Sequence, residues 1–216
     1  MIPKSNVHIA KALVRIAREL IELHDPRNAA ASLVMMALDA INYFKDKEGR
    51  MIFQHWLNAE GDWPNAPFGE YLMRNNGLKI QIENYIIGKL IPELLESGKN
   101  NVRFNRHIPI ELDDNGYDTG YGLLHGTNAE FGDCHLIGTL TKRGEYKIDG
   151  DFKYYWKDKI DPNPDYFWDI AKSAGLQILT LGKPKDYTIR IPFESKFKVV
   201  KRKYRWELTG GFPAND

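Results

Sequence analysis

Cysteine is almost absent from this 216-residue chain, where Cys134 stands alone. A single thiol excludes an intramolecular disulfide and any zinc site built from several cysteines. The fold is therefore not built to depend on an oxidising compartment. Charge of one sign is missing too. Lys and Arg number 30 against 29 Asp and Glu, a formal net charge of +1. That balance lacks the basic excess of a dedicated nucleic-acid binder and leaves room only for a local basic patch. No stretch approaches the ~18 consecutive apolar residues of a membrane span. The opening MIPKSNVHIAKALVRIAREL is broken by Lys11, Arg15 and Arg18 where a signal peptide needs an unbroken apolar core. The expectation is a chain made in the cytoplasm without a signal peptide. The phosphate-cradling patterns G-x-x-x-x-G-K-[ST] and G-x-G-x-x-G are absent, so nothing supports nucleotide binding. H-E-x-x-H and G-x-S-x-G are absent as well, and the six histidines are scattered singly.

What is there falls into two halves. Residues 5–23 place Ile9, Leu13, Ile16 and Leu20 on one helical face. Asp25-Pro26 reads as an N-cap followed by the first position of a second helix, over Arg27 to Phe44. Its AAASLVMMALDAI core is apolar nearly all round, which predicts a central buried helix. A short helix is expected at Met51–Leu57. Another runs from Leu78 to Ser97-Gly98, kinked or divided by Pro92, which removes a backbone donor. After Gly98 the period becomes two. Val102–Leu112, Phe131–Thr141, Glu145–Lys157 and Tyr187–Val200 read as half-buried strands, with a hairpin turn at Lys142-Arg143-Gly144 and a short helix at Asp169–Leu179. The class is α+β: a helical region over 1–98 packed against an antiparallel β-sheet or half-barrel over 99–216, as one integrated domain. Alternation sends Cys134 and His135 to opposite faces, which argues against a Cys–His nucleophile pair and makes Cys134 a small core residue. The basic run KFKVVKRKYRW suits either an anionic partner or a solvated edge strand whose lysines discourage pairing.

The most informative stretch is FKYYWKDKIDPNPDYFWD, residues 152–169. It begins as an aromatic strand and ends in a loop carrying Asp158, Asp161, Asp165 and Asp169, with Asn163 among them. Carboxylates clustered past a strand end can hold a hard cation such as Mg²⁺, or raise one another's pKa and supply a general acid or base. The same residues beside Pro162 and Pro164 also suit turns and a helix cap, and composition leaves both readings open.

Asp158-Lys159-Ile160-Asp161 resembles the Asp-x-Tyr-Asp motif of the colicin M family of bacteriocins. Both aspartates match, and Ile160 holds the tyrosine position. The flanking HLIGTLTKRGEYKIDGDFKYYW resembles the strand pair leading into that motif. AGLQILTLGKPKDYTIRIPF resembles the short helix, glycine turn and last strand that follow it, and MALDAINYFKDKEGR and GLKIQIENYIIGKLIPELLESG resemble the helices before it. The likeness covers residues 35–200. The family's His-Arg pair falls near Phe167-Trp168, and neither residue is present. Another histidine, a different carboxylate, or a different activity on the same fold would have to account for that.

The resemblance implies an antibacterial toxin that hydrolyses the undecaprenyl-linked peptidoglycan precursor, lipid II, with Mg²⁺ assistance, delivered to the periplasm of a target bacterium and countered by a cognate immunity protein. It assigns Asp158 and Asp161 to the metal or the attacking group, with Asp165 and Asn163 completing the polar shell. His125, in the turn-like LLHGTN, would replace the missing base, and Arg190 would grip the pyrophosphate bidentately. Two alternatives come from other classes: a non-enzymatic binding module on the same fold, and a nuclease-type toxin.

Overall fold

The computed structural model describes residues 26–113, 118–124, 133–160 and 184–212. The helices expected over 5–23 and 169–179 lie outside these residues. In chain order the elements are α1 (Pro26–Ala40), α2 (Lys47–Asn58), α3 (Gly69–Met73), α4 (Asn76–Tyr85), a π-helical turn (Ile86–Leu90), α5 (Ile91–Glu96), β1 (Asn101–Pro109), α6 (Gly120–Leu123), β2 (Asp133–Lys142), β3 (Lys147–Ile160), β4 (Tyr187–Arg202) and β5 (Arg205–Gly210). Two compact units share them. One comprises Met1–Asp62, Asn115–Leu123 and Ile160–Tyr187; the other comprises Trp63–Asp114, Leu124–Lys159 and Thr188–Asp216.

In the first unit α1 starts at Pro26, as expected, because a proline's missing donor costs nothing in a first turn. It buries Ala29, Ala31, Val34 and Met35, whereas Met36 is 44% exposed and Asp39 and Ala40 face solvent. The helix is thus buried on one stripe, not all round. It stops short of Phe44 because Asn42 takes a left-handed φ of 49°. α2 begins four residues earlier than its apolar pattern implies. Asp46 caps it: the Gly49 N–H donates to Asp46 Oδ1 at 2.6 Å. Ile52, Phe53, Trp56 and Leu57 form its buried stripe. Arg50 ties α2 to α1 through two 2.7 Å bonds to the Asp39 carboxylate.

In the second unit the helix expected to be kinked or divided by Pro92 is divided just before it, by the π-helical turn, where the Ile91 N–H donates to the Ile86 carbonyl. Leu78, Ile82, Ile86, Leu90 and Leu94 are fully buried along this composite helix. Two amides anchor it to the chain following β1. Asn75 Oδ1 accepts from both Leu78 N (3.0 Å) and Asp113 N (3.1 Å). Gln81 imitates a strand neighbour, donating to the Glu111 carbonyl at 2.6 Å and accepting from its N–H at 3.1 Å.

The sheet of this unit is antiparallel and open, in the order β1-β2-β3-β4-β5; it is not closed into a barrel. The α+β class expected from the sequence is what the chain adopts. The β2–β3 hairpin turns at Gly144, whose φ of +130° suits glycine. β5 was not expected. It pairs with β4 across a turn in which Lys203 takes φ +56°, so the basic C-terminal run forms a hairpin whose last strand is the sheet edge.

One face of the sheet is core. Along β3 the buried row is Ile148, Gly150, Phe152, Tyr154, Trp156, Asp158 and Ile160. Phe152 stacks on Phe197 of β4 at 5.6 Å between ring centroids, and Tyr154 on Phe193 at 4.8 Å. Gly150 makes this possible, since a Cβ there would run into the Phe197 ring. Each such large side chain contributes roughly 1.5–3 kcal/mol by leaving water. Cys134 is fully buried between Ile108 and Trp156, and His135 turns to the other face, as alternation predicts.

Candidate functional site

Asp158 is the exception in the core row of β3. Its side chain follows Trp156 on the inward face and is 2% exposed. The Lys159 N–H donates to its Oδ1 at 2.7 Å. A carboxylate taken out of water costs several kcal/mol unless partners compensate, so sequences place one in a core row only under constraint. Two residues earlier on the same face, ~6.8 Å along the strand, the Trp156 indole N–H is buried with no acceptor among the described residues. A buried acid and a buried donor therefore share the core face at the end of β3. Phe152 pairs with Phe197 and Tyr154 with Phe193, so the antiparallel run carries Asp158 toward the Ile189 end of β4.

Arg190 lies on the opposite face. Ile189 and Ile191 point into the core, and Arg190 between them is exposed. Its backbone is pinned on both sides: its N–H donates to Trp63 O at 2.9 Å, and its carbonyl accepts from Ala66 N at 2.9 Å. The guanidinium stacks over Tyr155 at 4.1 Å from the ring centroid. Asp158 and Arg190 are thus separated by the sheet. The expectation that Arg190 grips a phosphate beside Asp158 is not assembled by this geometry, because residues of opposite parity face opposite sides of a sheet.

The solvent face carries a cross-strand row that the sequence does not announce. His107 of β1 and His135 of β2 are register partners whose rings stack at 4.2 Å with 4° between their planes. His135 Nε2 also contacts Asn105 Oδ1 at 2.7 Å, and Tyr155 follows at 6.1 Å. His107, His135, Tyr155 and Arg190 therefore cross four strands. Finding this row needs the β1–β2 register, which alternation alone does not supply.

His125, Asp161, Asn163 and Asp165 lie outside the described residues. Among the described residues no three His, Cys, Asp or Glu side chains converge as a metal site. The donor chemistry of Asp158, a buried carboxylate oxygen, suits a hard cation as one ligand of a set. The other ligands expected from the sequence fall beyond the described part.

No protein-family model matches the sequence, and no curated protein matches it. The fold defines an α+β protein with an open antiparallel sheet. Among solved structures a similar chain is PaeM, a colicin M-like bacteriocin produced by Pseudomonas aeruginosa, with a TM-score of 0.37 and 17% sequence identity over 69% of this chain and 50% of that one. The chain spans about half the length of PaeM. The likeness is a remote colicin M-like resemblance.

Proposed function

We propose that this chain is an antibacterial toxin domain that hydrolyses lipid II by phosphoester cleavage. The observation that carries the reading is the burial of Asp158 on the core face at the end of β3. It is the first aspartate of the stretch that resembles the colicin M motif. A carboxylate kept there against its desolvation cost suits a pre-oriented ligand or proton carrier.

In this reading Asp158 and Asp161 hold Mg²⁺, with Asn163 and Asp165 beside them. Bound there, the ion would offset charge developing on the phosphate and lower the pKa of its water. His125 serves as base in place of the missing His-Arg pair. Arg190, facing the other side of the sheet, takes no part. The toxin would act in the periplasm of a target cell, and a cognate immunity protein would neutralise it.

The test is expression in a Gram-negative host with and without a periplasmic signal peptide, followed by a lipid II cleavage assay. Lysis is expected from the periplasm only. Asp158→Asn and Asp161→Asn should each lower lipid II turnover by about 100-fold or more, the scale of a lost acid or base, while circular dichroism stays native. Killing from the cytoplasm, or full toxicity in a folded Asp158→Asn protein, would sink the reading. The first result would move weight to a nuclease, and the absence of killing in both compartments to a binding module.

A further inference from the structure

The solvent face of the sheet holds a concavity of about 960 Å³, lined from all five strands. Its charge is one-sided. Arg103, Arg143, Lys153, Lys196 and Lys198 line it, against Asp149 and Asp151. Both carboxylates are already engaged: Arg143 Nε meets Asp149 at 2.7 Å, and Lys196 Nζ meets Asp151 at 3.7 Å. Arg103 on β1, Lys153 on β3 and Lys198 on β4 remain. All three are exposed and, among the described residues, make no ion pair. In a chain whose net charge is only +1, this is a local concentration of positive charge whose self-repulsion an anion would relieve.

We propose that this concavity binds a soluble small molecule carrying two or three phosphates, with Arg103, Lys153 and Lys198 as its charged contacts. Three features set the class. The cations sit on strands three inter-strand gaps apart at most, about 14 Å across the sheet, with Arg103 and Lys153 offset by two residues, about 7 Å, along it; long Lys and Arg side chains reach inward over that span to one oligophosphate. Thr139 and Thr141 line the same surface and offer hydroxyl donors to phosphate oxygens. The volume falls in the range of small-ligand sites. A membrane surface fits less well, because the lining lacks the exposed large apolar side chains that insert among lipids. A nucleic-acid strand also fits less well. The neighbouring rings are occupied, His107 by His135 and Tyr155 by Arg190, so they offer no open platform for bases. The site is independent of the Asp158 reading and lies on the other face of the sheet.

Isothermal titration of the whole chain with sodium tripolyphosphate at low ionic strength tests the proposal. Wild type should bind, and binding should weaken with added salt. The Arg103→Gln/Lys153→Gln/Lys198→Gln variant should lose about tenfold or more in affinity. A Lys147→Gln/Lys157→Gln control, altered on the same face outside the concavity, should bind like wild type, and so should Asp158→Asn. All substitutions are at exposed positions except Asp158, and thermal melts verify folding. No tripolyphosphate binding, or equal affinity in the triple variant, overturns the proposal. So does tighter binding of a single-stranded DNA decamer that the control variant also weakens, or co-sedimentation with phosphatidylglycerol vesicles abolished by the triple variant. Because the readout is binding and not killing, this inference and the toxin reading fail separately.

Discussion

Tyr154 places a phenol in the middle of the core, where its O–H and Ser195 Oγ meet at 2.9 Å. Burial pushes its pKa well above 10, outweighing the opposing effect of the Ser195 hydrogen bond. Tyr43 is pushed up to about 12, by burial first and then by the charge of Asp118. For an acid whose folded pKa is raised, nothing is lost while both states stay protonated. Above the unfolded value of about 10 the unfolded chain releases its proton and the folded one does not, so stability falls as pH rises. Each such tyrosine contributes about 1.4 kcal/mol per pH unit in that window. Guanidinium unfolding between pH 9 and 11 should therefore show a declining stability, with a shallower decline in Tyr154→Phe. Identical slopes would mean that Tyr154 ionises in the folded protein. At this scale part of the candidate site was legible in the sequence. The acidic stretch itself was legible, but the strand was expected to end at Lys157 with Asp158 in the loop beyond it; β3 runs on to Ile160, and the continued alternation after Phe152, Tyr154 and Trp156 turns Asp158 inward. The stacking of His107 on His135 was not legible, because it depends on a register between strands 28 residues apart.

Among the elements, α2 shows how a single cap reaches beyond its own helix. Asp46 Oδ1 accepts from Gly49 N at 2.6 Å and from Gly120 N at 3.0 Å, so one carboxylate starts α2 and fastens α6. Gly49 allows the approach, since a Cβ there would press on the backbone at Thr119 and Gly120. Asp46→Ala should cost about 2–3 kcal/mol, a lost cap plus a second donor left without its acceptor. Asp46→Asn, which keeps an oxygen in place, should retain most of the stability. Urea midpoints of the two variants decide it, and equal losses would show that charge, not the acceptor geometry, holds the pair. Sequence pattern found most helices and four strands because their periods are long and regular. It missed the first turn of α2, where Glu48 and Gly49 interrupt the apolar stripe and only the cap marks the start. It also missed β5, RWELTG, whose intermediate burial at a sheet edge erases the alternation that marks an inner strand. The π-helical turn was out of reach, since Pro92 announces a break in the helix without saying which hydrogen-bond pattern precedes it.

For the molecule as a whole, the sheet divides its residues by face more sharply than the chain divides them by position. Aromatic and aliphatic side chains fill the inner face, and cations concentrate on the outer one, in a sequence that is nearly neutral overall. Cys134 sits on the inner face of β2, fully buried between strands on both sides, and is the chain's single thiol. A thiol there meets reagent only when the sheet opens, so its modification rate reports the stability of the sheet-bearing unit. In native buffer an aromatic disulfide reagent should label it at least about 1,000-fold more slowly than in denaturant, given ordinary domain stabilities. Adding urea should raise the rate in step with the loss of the β signal in circular dichroism. Reducing agent should leave the melting temperature unchanged, because there is no disulfide to break. Rapid labelling without denaturant would mean that β2 opens locally while the rest of the sheet stays folded. The packing of Cys134 against Ile108 and Trp156 would then not be the stable centre of the fold, and the Asp158 row on the adjoining strand would share that local opening.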